Sequence, residues 1–465
     1  MNQLQRLSFS VKAAYAAPAF ALAVVGIPIY VYLPKFYTDT LGVDVAVLGM
    51  IIMAVRILDA VTDPLMGIIS DRTRSPLGRR RPYIAGGSIL LAISIYMLFN
   101  PPMADPTVWF GIWIFLLFLF WTVAAVPYES LGPEITFDYN QRNALFGLRD
   151  GLLLVGTLVA AASPLMIRTI FSISEGTAGE REVFHRISIL YAPLVILLSI
   201  WCVLKVREIP RTTEIERFSP ARSMGYVFRN RPFIILLIAY TISSFGGNLP
   251  ATLILYYVQY VLGSPHADRF LALYFVTGIV FLPGWIWLAR RIEKKAAWLL
   301  AMTVNTGAFI GVFFLGYGDA DIYGILVFLS GIGFGATVAL PSSMEADVID
   351  YDELLSGRRR EGAYVGVWSI LKKVVAALGV GLALWILGMV GYEPNVEQTM
   401  GVRNALRILY SLVPSLCNII AIIIAFRYPV SMRIHEKIRY AIEKRKQGNE
   451  VEDPLRPGVF LDPLS

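Results

Sequence analysis

Runs of about twenty apolar residues recur along the chain, separated by stretches rich in charge, proline or glycine. Twelve of them are centred near residues 24, 57, 93, 118, 158, 198, 244, 279, 307, 333, 377 and 415. A helix of that length crosses the ~30 Å hydrocarbon core of a bilayer. The pattern predicts an all-α integral membrane protein with twelve transmembrane spans. Proline and glycine interrupt the runs near 24, 244 and 333. The first run continues to Leu33, too long for a cleavable signal peptide.

A polar break at residues 208–231, with two prolines, separates six runs from six. It divides the chain into an N-terminal half at 1–207, a cytoplasmic middle loop at 208–231, a C-terminal half at 232–428 and a tail at 429–465. The second-to-third connections of both halves are basic, "SDRTRSPLGRRRP" and "ARRIEKKAA". Transporters built from two six-helix halves show such internal symmetry, with the solute site between the halves near the midplane. Past the last run, Val430 to Lys446 places Ile434, Ile438 and Ile442 at helical spacing among Arg, Lys and Glu. An amphipathic helix at the inner membrane surface is expected there. The closing "EDPLRPGVFLDPLS" reads as disordered.

Composition agrees with the pattern. Of 465 residues, 56% are hydrophobic and only 16% charged, with a mean hydropathy of +0.61; a soluble chain carries about 25% charge. Cys202 and Cys417 both lie in apolar runs and imply neither a disulfide framework nor a zinc site. The net charge of +7 sits mainly in alternate loops, after spans 2, 6, 8 and 10. The loop after span 5, with Arg168, Arg181 and Arg186, fits least well. Positive loops stay cytoplasmic, so both termini are expected inside, in a plasma membrane or a bacterial inner membrane. The charge is a topology signal, and no nucleic-acid partner is expected. His185, His266 and His435 are scattered, with no HExxH, GxSxG or phosphate-loop motif, which argues against an enzyme.

Span 2 holds the most informative chemistry, "RILDAVTDPLMGIISDRTRSPLGRRRPY". Asp59 and Asp63 are at i and i+4, on one helix face, about 6 Å apart. A carboxylate in mid-membrane costs about 2.5–3.5 kcal/mol on insertion scales, and a like-charged pair costs more unless a proton or metal cation neutralises it. With a nearby hydroxyl the pair makes an oxygen cage for a hard cation such as Na⁺. Alternatively Arg56, at i−3, neutralises Asp59 and leaves Asp63 unexplained. The arginines after Gly78, including Arg79 and Arg80, read as a cytoplasmic clamp and topology anchor. Between spans 10 and 11, "DVIDYDELLSGRRREG" sets Asp347, Asp350, Asp352 and Glu353 against Arg358, Arg359 and Arg360. It reads as part of a gating latch at the cytoplasmic mouth, facing the span 2–3 loop, or as a solvated loop. Exposed pairs contribute only about 0–1 kcal/mol each.

The span 2 segment resembles the second helix and following loop of the glycoside–pentoside–hexuronide:cation symporters, the melibiose-permease branch of the major facilitator superfamily. The resemblance continues in "VPYESLGPEIT", "EADVIDYDELLSGRRREGAYVG" and "WSILKKVVAALG", in order, over nearly the whole chain. It implies a cation site at Asp59, Thr62, Asp63 and Thr122, with Thr62 where the permease has asparagine. It implies that Lys373, the second of the pair Lys372–Lys373, lies near the aspartates and couples cation to solute; alternatively such a lysine pair snorkels to a membrane surface. The two sugar-gripping carboxylates of the galactoside pattern are replaced by Ala23 and Ala125. Arg149 is retained, and Glu129 stands where the permease has tryptophan. Such a cavity is more positive and would suit a carboxylate, sulfonate or phosphate. Equally, Asp150 neutralises Arg149 and an uncharged solute binds aromatic faces such as Tyr30 and Trp121. The expected activity is alternating-access symport of a glycoside or anionic sugar with Na⁺, H⁺ or Li⁺, by a monomer with no further cofactor. A lysolipid or other amphiphile is the alternative solute.

Overall fold

The computed structural model describes residues 7–136, 138–208, 225, 227–358 and 360–463. The expected middle loop at 208–231 falls largely outside the described residues, as does Arg359.

Twelve helices are long and apolar enough to span a membrane. In the first half they are α1 (Phe9–Thr40), α2 (Val45–Arg72), α3 (Arg81–Phe99), α4 (Pro106–Ile135), α5 (Tyr139–Ile170) and α6 (Thr177–Lys205). In the second they are α7 (Arg231–Tyr260), α8 (Ala267–Ile292), α9 (Lys294–Phe313), α10 (Ala320–Ser356), α11 (Glu361–Met389) and α12 (Met400–Ala425). Each contains an expected centre. Pro28 and Pro34 remove two backbone donors from α1, which widens into π-helical turns at Pro28–Tyr32 and Phe36–Thr40. Asp44 and Asp138 cap α2 and α5 by accepting from Val47 N (2.9 Å) and Gln141 N (2.8 Å).

The chain forms two compact units. One holds α1–α6 together with Ala251–Phe275 and Ala377–Leu406; the other holds α7 up to Pro250, Val276–Ala376 and the chain from Arg407. This differs from a division at the middle loop. The far ends of α7, α8, α11 and α12, remote from the basic loops, belong with the first unit. In that unit α1 packs on α5 and α6, α3 on α4 and α6, and α2 on α4.

Glycines explain the association of α11 with α2. A Cβ on Gly388 would lie 2.6 Å from Ala46 Cβ, one on Gly49 2.8 Å from Leu384 Cβ, and one on Gly381 2.5 Å from Met53 Cβ. Three levels of backbone-close contact therefore seal α2 against α11.

In the second unit α9 packs on α10 and α12. Its core includes Trp298, Met302, Met344, Tyr364 and Trp368. A thirteenth helix, α13 (Met432–Lys446), lies against the inner end of α10. Ile438 and Ile442 are buried and Ile434 is half-buried. The apolar stripe expected on the membrane surface thus packs on protein instead.

The tail expected to be disordered is ordered in its described part. β1 (Val451–Glu452) pairs antiparallel with β2 (Phe460–Leu461). Asp453 between them is fully buried. It accepts from Tyr351 OH (3.0 Å), Leu455 N (2.9 Å) and Arg456 Nε (2.7 Å).

Candidate cation and solute site

Asp59 and Asp63 face α4 from one side of α2, as the i, i+4 spacing requires. Asp59 is 3% exposed and Thr122 1%. The Thr122 hydroxyl lies 2.7 Å from Asp59 Oδ1 and 2.8 Å from Asp63 Oδ1. A hydroxyl carries one hydrogen. Thr122 therefore donates to one carboxylate at a time. One oxygen of each carboxylate thus lies within 2.8 Å of a common hydroxyl.

Arg56 occupies the place foreseen for a neutralising partner, 3.3 Å from Asp59 Oδ2. It also donates to Tyr30 OH at 3.0 Å and lies over the Tyr30 and Phe118 rings at 4.9 and 4.8 Å. Tyr30 is thus tied to Asp59 through Arg56. Thr62 is placed differently: its hydroxyl donates to the backbone oxygen of Asp59 at 3.0 Å, one turn back.

The expected solute residues are less gathered. Arg149 is paired with Asp150, with Nη2 2.7 Å from Oδ1, and stacks on Phe146 at 4.6 Å. This is the arrangement in which the arginine is neutralised locally. Asp150 is 59% exposed on its side chain, so the pair can exchange with water or solute. Trp121 is half-buried and Glu129 exposed on α4. Lys373 is half-buried and Lys372 exposed on α11, in the second unit. Ala23 has a packing explanation: a Cβ on Gly156 would meet it at 2.8 Å, so α1 and α5 touch there. Ala125 is buried.

Several inner-end charges find partners within their own half. Arg79 and Arg80 reach Glu134 at 2.8 and 3.3 Å, and Arg80 also takes Asp71 at 2.7 Å. The backbone N–H groups of Arg79, Arg80 and Arg81 converge on Glu208 at 2.8, 2.9 and 3.0 Å. Gly78, at φ +108°, makes that turn. This fits the clamp reading of the arginine run. In the other half Asp347 is held by Lys294 (2.8 Å), Asp350 by His435 (3.0 Å), Asp352 by Arg360 (3.0 Å) and Glu353 by Lys446 (2.7 Å). The Arg358 side chain is exposed.

One polar centre escaped the sequence reading. Asp39, at the far end of α1, has an 8% exposed side chain and pairs with Lys35. It accepts from Thr38 (2.8 Å), Tyr260 (2.9 Å) and Tyr392 (2.6 Å). Asn395 donates to its backbone oxygen at 2.5 Å, and Thr38 contacts Tyr256 OH at 3.0 Å. Burial, and then the Asp39 charge, hold the Tyr392 phenol well above its ordinary pKa. It stays a donor at any physiological pH. Asp39 thereby ties α1 to α7 and to the α11–α12 connection, above the glycine seam.

Comparison with known proteins agrees with this architecture. Residues 14–432 match the family model described as MFS/sugar transport protein. A glucuronide carrier protein homolog of Escherichia coli (strain K12) is 28% identical, over 90% of this chain and 91% of its own. A candidate sulfoquinovose importer of Salmonella typhimurium is 26% identical, over 96% of this chain and 95% of its own. Among solved structures, the nucleoside transporter NupG superposes with a TM-score of 0.63 at 14% identity, over 90% of this chain and 98% of that one. That last likeness concerns the fold alone. The chain is a multi-pass membrane transporter of the MFS/sugar transport family, and it belongs to the glycoside–pentoside–hexuronide:cation symporter branch of the major facilitator superfamily.

Proposed function

We propose that this transporter moves a sugar-like anion, a uronate or sulfonated sugar, together with a monovalent cation bound at Asp59, Asp63 and Thr122. The observation that carries the reading is one threonine hydroxyl within 2.8 Å of both carboxylates. Such a geometry has two natural occupants. A proton makes one carboxyl a donor; Na⁺ draws all three oxygens inward as ligands. Either eases the charge repulsion between the buried Asp59 carboxylate and the half-buried Asp63 carboxylate. The anionic solute is supported by the relatives' names and by Arg149, whose planar fork suits two-oxygen groups. Arg149 is paired with the exposed Asp150, which an acidic group of the solute can replace on the guanidinium. Cation and solute then tighten each other by the same factor.

The test is uptake into membrane vesicles with an imposed Na⁺ or H⁺ gradient, comparing uronates and sulfonated sugars with neutral glycosides and lysolipids. Gradient-driven accumulation of the acidic sugars supports the reading. Equal accumulation of neutral glycosides would remove the anion, lysolipid uptake would change the solute class, and indifference to every cation gradient would remove the coupling.

A further inference from the structure

Glu345 is a buried acid that the cation site does not use. It lies within α10 and is 7% exposed. Its Oε1 is sealed from solvent and has no hydrogen-bond partner among the described residues. Its chain neighbours Met344 and Val348 belong to the apolar core of the second unit, with Trp368 of α11. Tyr240 of α7 stacks on that tryptophan at 4.3 Å.

Among the described residues, titratable groups on two neighbouring helices act on Glu345. They are Tyr240 on α7, and Glu361 and Lys372 on α11. Glu361 is a like charge, and Lys372 is exposed. From α9, Lys294 is engaged at 2.8 Å by Asp347. Asp347 is two residues on, hence turned to the opposite face of α10. After α12, Tyr428 is directed to the Met344 backbone oxygen at 3.4 Å.

An ionised carboxylate with a sealed, unbonded oxygen is far costlier than a neutral carboxyl in the same place. A metal ion does not fit, because a hard cation needs several oxygens and Glu345 supplies one carboxyl. Among the described residues no cluster of three or more His, Cys, Asp or Glu is arranged to hold a metal.

We propose that Glu345 is a proton-binding site in the second unit, separate from the cation site on α2 and α4. The reaction is proton addition alone. A water-borne proton bonds to one carboxylate oxygen, and the same O–H breaks when the proton returns to water. The site makes the transport rate sensitive to pH whatever ion drives uptake at Asp59 and Asp63.

The experiment uses purified full-length protein in lipid nanodiscs, with no solute and no cation gradient. Its outcome therefore does not depend on the proposed symport. Infrared difference spectra between acid and alkaline samples read the carbonyl stretch of protonated carboxyls, and potentiometric titration counts protons. Glu345→Gln is expected to remove one such band and one titrating proton while leaving the fold and the Asp59–Asp63 signals in place. Exchange of solute, once identified, should lose one pH-dependent step in this variant. An unchanged spectrum and proton count would overturn the proposal. Glu345→Met guards against misfolding by glutamine, since a site that is neutral when folded tolerates a neutral isostere. Failure of both variants to fold would show that the charge is needed, and would equally overturn it.

Discussion

Two aspartate centres sit in the same compact unit and are built in opposite ways. At Asp39 the donors outnumber the acceptor oxygens: Lys35, Thr38, Tyr260 and Tyr392 all converge on one carboxylate. At Asp59 and Asp63 one hydroxyl is shared by two carboxylates. A carboxylate given several donors is stable as an anion and holds elements together. Two neighbouring carboxylates on one hydroxyl, with Arg56 beside Asp59, repel each other less once a cation lies between them. The first arrangement suits a lock and the second a coupling site. In the proposed alternating-access cycle both have a place, because an ion bound at one centre must be felt where the chain opens.

The largest expected effect is at the shared pair. Asp63→Asn and Asp59→Asn should each reduce gradient-driven accumulation by about a hundredfold or more, because an amide there neither releases a proton nor supplies an anionic ligand. Exchange of solute without a gradient should survive. Normal accumulation in either variant, measured with radiolabelled solute in vesicles, would dissolve the contrast between the two centres.

Asp39→Asn comes next. Loss of charge-assisted bonds of ~1.5–3 kcal/mol each should open the far end. The reporter is a cysteine at Leu384, which is fully buried against Gly49, in a background lacking Cys202 and Cys417. Its labelling by a membrane-impermeant maleimide should rise about tenfold, since ~1.4 kcal/mol is a factor of ten. Cation affinity should be left alone. Labelling unchanged from the parent would show that the glycine seam holds without Asp39.

A finer test separates hydroxyl from volume. Thr122→Ser keeps the shared donor and should bind cation as the parent does. Thr122→Val should weaken cation binding roughly tenfold, the worth of one hydrogen bond to a charged group. Equal affinity in both would mean that Thr122 only fills space.

The smallest effect belongs to the tail. Asp453→Ala leaves Tyr351 OH without its acceptor and should cost about 1–3 kcal/mol locally. The cysteine-free protein should show faster proteolysis after residue 446 and unaltered cation affinity. A shift in cation affinity would tie the tail to the coupling site.

How much of this was legible in the sequence follows from the range of each interaction. The spans and α13 are local periodicities, and all were readable. The Asp59–Asp63 pair was readable from its spacing, but its tie to Thr122, 63 and 59 residues away in the chain, came only by resemblance. The Asp39 centre draws on Tyr260 and Tyr392, 221 and 353 residues away. A tyrosine at the end of an apolar helix has no pattern that marks it as a donor to a distant acid. The tail misled through composition: its prolines and glycines read as disorder, while its order comes from Asp453 meeting Tyr351 across 102 residues. Glu345 sat in plain view inside an apolar run, but the neighbouring acids drew the segment into the reading of the mouth.

The central claim is that one site, Asp59–Thr122–Asp63, carries the coupling cation. The most direct measurement is a linked equilibrium titration on purified protein. Solute affinity is measured at zero and saturating Na⁺ and across pH, and cation affinity with and without solute. The account predicts that cation tightens solute and solute tightens cation by one common factor, and that Asp63→Asn brings this factor to unity. Solute affinity in the parent protein that ignores Na⁺, Li⁺ and pH alike would contradict it.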